Sequence, residues 1–241
     1  MRRRDLLVGT AATAVAPGVA VADEAVEVDM RLVLAVDVSR SVDADEYALQ
    51  KDGYARAFTD PRIVDAISSG PLRRIGVCYV EWAGAQMQRT PLDWTLADGP
   101  KACAEIAARI AALPYDAHRW TGVGAAMLYA AARLEASPFR SKRMVIDVSG
   151  DGRNNNGPAA DLVRDQLVAR GITINGLPIM GDAPNFGSPP DRDLDRWYEE
   201  NVIGGPGAFV IAAQGFGDFA RAVRQKLTRE ISALPAGLSH A

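Results

Sequence analysis

The residues best equipped for chemistry stand in three short polar clusters. The first is Asp37-Val38-Ser39-Arg40-Ser41, the second Trp120-Thr121-Gly122-Val123-Gly124, and the third Ser149-Gly150-Asp151-Gly152. Their metal-ligating side chains would be carboxylates and hydroxyls, with neither thiolate nor imidazole in the runs. Oxygen donors of this kind suit a hard cation such as Mg2+, Mn2+ or Ca2+. They do not suit Zn2+, which prefers histidine and thiolate. Taken alone, Asp37, Ser39 and Ser41 also fit a capped turn between a strand and a helix, where Asp and Ser are favoured.

What decides between these readings is whether the chain brings the clusters together. Residues 31–36 form a continuous apolar run that ends at Asp37, as a strand buried on both faces would. A helix is expected over 45–58, with Asp43 as its cap. Residues 74–82 read as a second strand, and 86–90 as a short edge strand stopped by Pro91. Helices follow at 100–113 and 122–136, then a strand at 144–148 that ends just before the third cluster. A helix at 158–170, a strand at 172–177, a Pro/Gly/Asp-rich loop at 181–191 and a short helix near 193–200 come next. The last strand is expected at 208–212 and the last helix at 218–234.

Strands alternating with helices predict a three-layer, doubly wound, Rossmann-like α/β fold. Its sheet would be six-stranded and mainly parallel, with one short antiparallel edge strand. In open parallel sheets, ligands bind beyond the carboxyl ends of the strands. The three clusters fall at that end.

These residues carry a resemblance. Asp37-x-Ser39-x-Ser41, the later Thr121 and the later Asp151-Gly152 are similar to the metal-ion-dependent adhesion site (MIDAS) of von Willebrand factor type A (VWA) domains. The order of strands and helices agrees with that family across the chain. The resemblance implies that Ser39 and Ser41 bind a divalent metal through their hydroxyls. It implies that Thr121 binds directly in a high-affinity state, while Asp37 and Asp151 act through water or through hydrogen bonds to the serines. A coordination position left to water would accept a carboxylate from a protein partner, which makes the expected function recognition of an acidic group rather than catalysis. The stretches 146–155, 171–177 and 202–209 further resemble a bacterial group of exported VWA-like proteins of unassigned function.

Two other functions compete. Asp37-x-Ser39 after a first strand superficially resembles the haloacid dehalogenase-like phosphatases, whose nucleophile is an aspartate. That chemistry needs an acidic residue two positions on, where this chain has Ser39. A VWA scaffold that uses no metal is the other. A serine hydrolase is disfavoured, since G-x-S-x-G is missing and His118 is the one histidine outside the tail.

Several residues have two readings. Asp147, inside an apolar strand, either supports the metal site from behind or pairs with a buried donor. His118 is either near the metal or an exposed loop residue. Arg40 steers an acidic partner or is merely solvated. Trp82, Trp94 and Trp120 form an aromatic rim, or in the case of Trp82 pack in the core. The 181–191 loop either binds or simply links elements.

The start of the chain has the three parts of a secretory signal peptide over residues 1–22. Arg2, Arg3 and Arg4 are followed by an apolar stretch and by Ala20-Val21-Ala22. The arginines before Asp5-Leu6-Leu7 also resemble a twin-arginine export signal. A VWA-like domain over 23–241, periplasmic or secreted, is the expected mature protein, with no membrane span of its own. The whole chain has 27 basic and 30 acidic residues; without residues 1–22 it has 24 and 29, a formal charge of −5 and no basic cluster, which argues against nucleic acid as a partner. Cys78 and Cys103, the only cysteines, either form a disulfide in an oxidising compartment or stay buried and free.

Overall fold

The computed structural model describes residues 25–181 and 190–232. The expected signal peptide and most of the 181–191 loop lie outside them. Strand β1 (Val26–Glu27) pairs in parallel with β5 (Phe139–Arg140) as a two-stranded ribbon. The main sheet contains β2 (Arg31–Asp37), β3 (Ile75–Trp82), β4 (Gln88–Ala97), β6 (Met144–Gly150) and β7 (Ile172–Pro178). Their order is β4-β3-β2-β6-β7, parallel except for the antiparallel β3–β4 pair. The expected sixth strand enters as isolated bridges. Val210 and Ala213 lie parallel to Gly176 and Ile179, and Gly176 N–H donates to the Phe209 carbonyl at 3.1 Å.

The edge strand is longer than its sequence reads, since it runs on through Pro91 to Ala97. Proline lacks a ladder donor and is tolerated at an edge. The β3–β4 register shifts between Tyr79 and Glu81, opposite the Arg89–Leu92 stretch that holds it.

Two helical layers cover the sheet. On one face, α1 (Ala44–Thr59), α2 (Pro61–Ser68), α3 (Pro100–Ala111) and α7 (Phe219–Ser232) contribute to a core that includes Leu32, Leu34, Val36, Tyr79 and Val77 of the sheet. On the other, α4 (Val123–Glu135), α5 (Ala160–Ala169) and α6 (Leu194–Asn201) pack over Val33, Ala35, Val80, Trp82, Ile146 and Val148. Alternate residues of the strands therefore feed opposite cores, which explains their unbroken apolar runs.

The expected cap of α1 is present as a full capping box. Asp43 accepts from the backbone N–H groups of Asp45 and Glu46, and the Glu46 side chain accepts from the Asp43 N–H. Helix α2 follows directly, because Asp60 ends α1 and caps α2 through the Arg62 N–H. Cys78 and Cys103 are free and buried in opposite cores. Burial pushes the Cys78 thiol up to about 11. Among the described residues, no helix is long and apolar enough to cross a membrane.

Candidate metal centre

Strand β2 delivers Asp37 at its carboxyl end, on the face shared by Val33 and Ala35, with no exposed surface. The chain then turns sharply, and Asp37 Oδ1 accepts from the Ser39 N–H at 2.7 Å. That turn aims both serine hydroxyls the same way: Ser39 Oγ and Ser41 Oγ are 2.7 Å apart. Ser41 Oγ donates in turn to Asp151 Oδ1 at 2.7 Å. Asp151 follows β6, two strands' ends thus meeting as the sheet topology requires.

Thr121 joins through the backbone. Its N–H donates to Asn155 Oδ1 at 2.8 Å, and its carbonyl accepts from the N–H groups of Asn155 at 2.8 Å and Asn156 at 3.2 Å. Its hydroxyl lies 3.7 Å from where a Cβ at Gly152 would stand. Asn154 Oδ1 accepts from Gly124 N–H, and Asn156 Oδ1 from Ala85 N–H. The asparagine run thus stitches the Thr121 and Asp151 loops together. Nothing in its sequence distinguishes that role from a turn. Trp120 adopts a left-handed φ of 72°, uncommon for a residue with a side chain, and is 57% exposed beside Thr121.

The electrostatics are unusual. Burial holds the Asp37 carboxyl well above the usual range, and the Asp151 charge pushes the same way; hydrogen bonding from Ser39 and, more weakly, from the Asp151 backbone opposes both. Burial lifts Asp151 to about 6, against the Ser41 hydrogen bond and with a contribution from Glu46. The charges acting on this pair are acidic. Asp37 Oδ2 has no hydrogen-bond partner despite full burial. Buried carboxylates in that position lack a counter-charge, and a dication among the serine and threonine hydroxyls would supply it. The donor set fits a hard ion in that sense. It is not a conventional cluster, since among the described residues no three His, Cys, Asp or Glu side chains converge as metal ligands.

The remaining candidates fall out differently. Asp147 points to the other face of the sheet, because Leu34 and Val36 set its parity. There it forms an ion pair with Lys226 of α7, which also binds Glu230 at 2.5 Å, while Asn175 Nδ2 donates to Glu230 Oε1 at 2.8 Å. It does not support the metal centre. Burial first, with Glu230 adding and Lys226 opposing, holds Asp147 at about 7. His118 touches the site by its backbone: its N–H donates to the Val38 carbonyl at 3.0 Å, while its ring turns to Asp116. Of the three tryptophans, Trp82 is core, Trp94 donates to the Arg133 carbonyl, and Trp120 alone stands exposed at this end. Arg40 is exposed. Asp37 offers no open approach to a soluble ester, which weighs against its use as a nucleophile.

A family model described as "Protein of unknown function (DUF1194)" matches residues 27–235. The chain belongs to this family. Among solved structures, it is similar to proximal thread matrix protein 1 from the mussel byssus with a zinc-occupied MIDAS motif (TM-score 0.59, 16% identity, 85% of this chain and 46% of that one). The pilus adhesin SpaC from Lactobacillus rhamnosus GG gives a TM-score of 0.62 at 11% identity, over 85% of this chain and 31% of that one. A von Willebrand factor type A protein from Catenulispora acidiphila gives 0.58 at 14% identity, over 85% and 43%. This DUF1194 chain therefore has the VWA fold, and it spans less than half the length of each of these three structures. No curated protein sequence matches it.

Proposed function

We propose that this DUF1194 chain is an exported, divalent-metal-dependent binding module that recognises an acidic group of a protein partner. The observation that carries the reading is the pair of carboxylates, Asp37 and Asp151, set in a hydroxyl-lined nook with one buried oxygen unpartnered. Ser39, Ser41 and Thr121 would be the direct ligands, and Asp37 and Asp151 would hold metal-bound water or orient the serines. Neutral hydroxyls leave the ion strongly electrophilic, so it favours an outside carboxylate at its open position. The Mg2+, Mn2+ and Ca2+ set is proposed on donor chemistry. The zinc in the mussel protein's MIDAS motif adds Zn2+ to the ions worth testing. The adhesin and byssus neighbours support a binding role, and the leader-like residues 1–22 support action in the periplasm or outside the cell.

Isothermal titration of the EDTA-stripped full chain with each ion tests this, beside Ser39→Ala and Asp151→Ala. Saturable binding in the wild type and its loss in both variants are expected. A glutamate-containing peptide should then bind only in the presence of the ion. Absence of metal binding in the wild type overturns the proposal.

A further inference from the structure

Tyr198 lies on α6, far in sequence from every residue named above as a ligand, and is fully buried. The sheet has a trough cut for its ring. A Cβ at Gly176 of β7 would stand 2.8 Å from Tyr198 Cδ1. A Cβ at Gly150 of β6 would stand 2.9 Å from the Tyr198 hydroxyl and 2.8 Å from Asp37 Oδ2. Gly176 pairs with Val148, so the two glycines share one face of adjacent strands. Both oxygens that meet at Gly150 are buried without a hydrogen-bond partner. They are no farther apart than one bridging water spans.

A phenylalanine ring would fill this trough as well as a tyrosine. The hydroxyl is therefore what needs explaining, because a buried polar group without a partner is costly. We infer that Tyr198 is a positioning residue of the metal centre, its hydroxyl donating to Asp37 Oδ2 through one bridging water. This rests on the metal-binding reading above. Asp37 Oδ1 is already fixed by the Ser39 N–H, so a donor on Oδ2 pins the carboxylate at both oxygens. A phenol is protonated at neutral pH and so is able to donate. The chain entering α6 is also tied to the centre, since Arg153 reaches Asp191 with two hydrogen bonds at 2.5 and 2.8 Å. That pair is exposed and serves alignment more than stability.

The test is Mn2+ titration of the full-length wild type, Tyr198→Phe, Asp37→Asn and the double variant, with thermal melts in EDTA. Tyr198→Phe should bind Mn2+ about 10- to 100-fold more weakly, the usual cost of losing a group that orients a ligand. Its melting temperature in EDTA should stay at or above the wild-type value. The double variant should bind no more weakly than Asp37→Asn alone, because both changes break one interaction. Wild-type affinity in Tyr198→Phe overturns the inference while leaving the metal site standing. So does a loss that adds in full to that of Asp37→Asn together with a lowered melt in EDTA, which marks a purely structural role. No binding by the wild type overturns both readings, and that arm is read on its own.

Discussion

Replacing Asp37 with asparagine should make the metal-free protein more stable while weakening its response to metal. The substitution keeps the shape of the side chain and the acceptor for the Ser39 N–H at 2.7 Å. It replaces a buried charged carboxylate with a neutral amide, and it takes a like charge away from Asp151. Both carboxyls have pKa values raised in the fold, so the metal-free native state keeps protons that the unfolded chain has released. Their stability is fully present near pH 4 and is lost as pH rises. For Asp151, lifted from 3.8 to about 6, the loss is about 3 kcal/mol, complete by neutral pH. Asp37 acts in the same direction. Relieving an unsatisfied buried charge is worth about 2 kcal/mol, which in a chain of this size is roughly 4–8 °C of melting temperature.

Circular-dichroism melts in EDTA at pH 7.5 and pH 5 measure this. Asp37→Asn should melt several degrees above wild type at pH 7.5 and gain less at pH 5, because the raised pKa of the wild-type carboxyl means that more of it is protonated as pH falls. Metal at 100 times the wild-type dissociation constant should stabilise the wild type by about 2.7 kcal/mol and the variant by clearly less. A variant that melts below wild type in EDTA at pH 7.5, or that gains equally at both pH values, refutes the electrostatic account. Asp37 would then be a turn-forming cap.

Two further outcomes follow from the opposite face and the cores. Lys226→Met strips the cation from Asp147 and Glu230, all three being buried, and should cost about 3–5 kcal/mol at pH 8 in urea titrations. The penalty should shrink towards pH 5, as the stranded Asp147 carboxyl takes up its proton; an equal penalty at both pH values would count against the ion-pair account. Cys78 and Cys103 should resist a thiol reagent in the folded protein and both react in guanidinium without reductant, whereas a count of zero would show that they are joined.

The sheet was readable because strands buried on both faces leave apolar runs, and the runs at 31–36, 74–82 and 144–148 contain nearly the whole of β2, β3 and β6. Helix α2 was not, since Asp60 serves both helices and no loop residues announce the break. Pro91 misled in the other direction, because an edge strand has no need of its missing donor. Ser39, Ser41, Asp37 and Asp151 were legible as a group once the strand order placed their loops together. Asp147 stood out as an anomaly, but strand parity and a lysine on the last helix decide its partner, and neither is local to it. Tyr198 gave no signal at all: its significance comes from two glycines on other elements.

The stitching of Thr121 to the asparagine run has a thermodynamic consequence. Both backbone polar groups of Thr121 are satisfied within the loops, as is the Val38 carbonyl by His118. The loops that carry Ser39, Ser41, Thr121 and Asp151 are thus held to one another by hydrogen bonds within the chain. If the proposed ion binds there, it has little chain to arrange and little apolar surface to bury, so its uptake should show a heat-capacity change near zero. An ion entering such a cradle completes the charge of the fold rather than its shape.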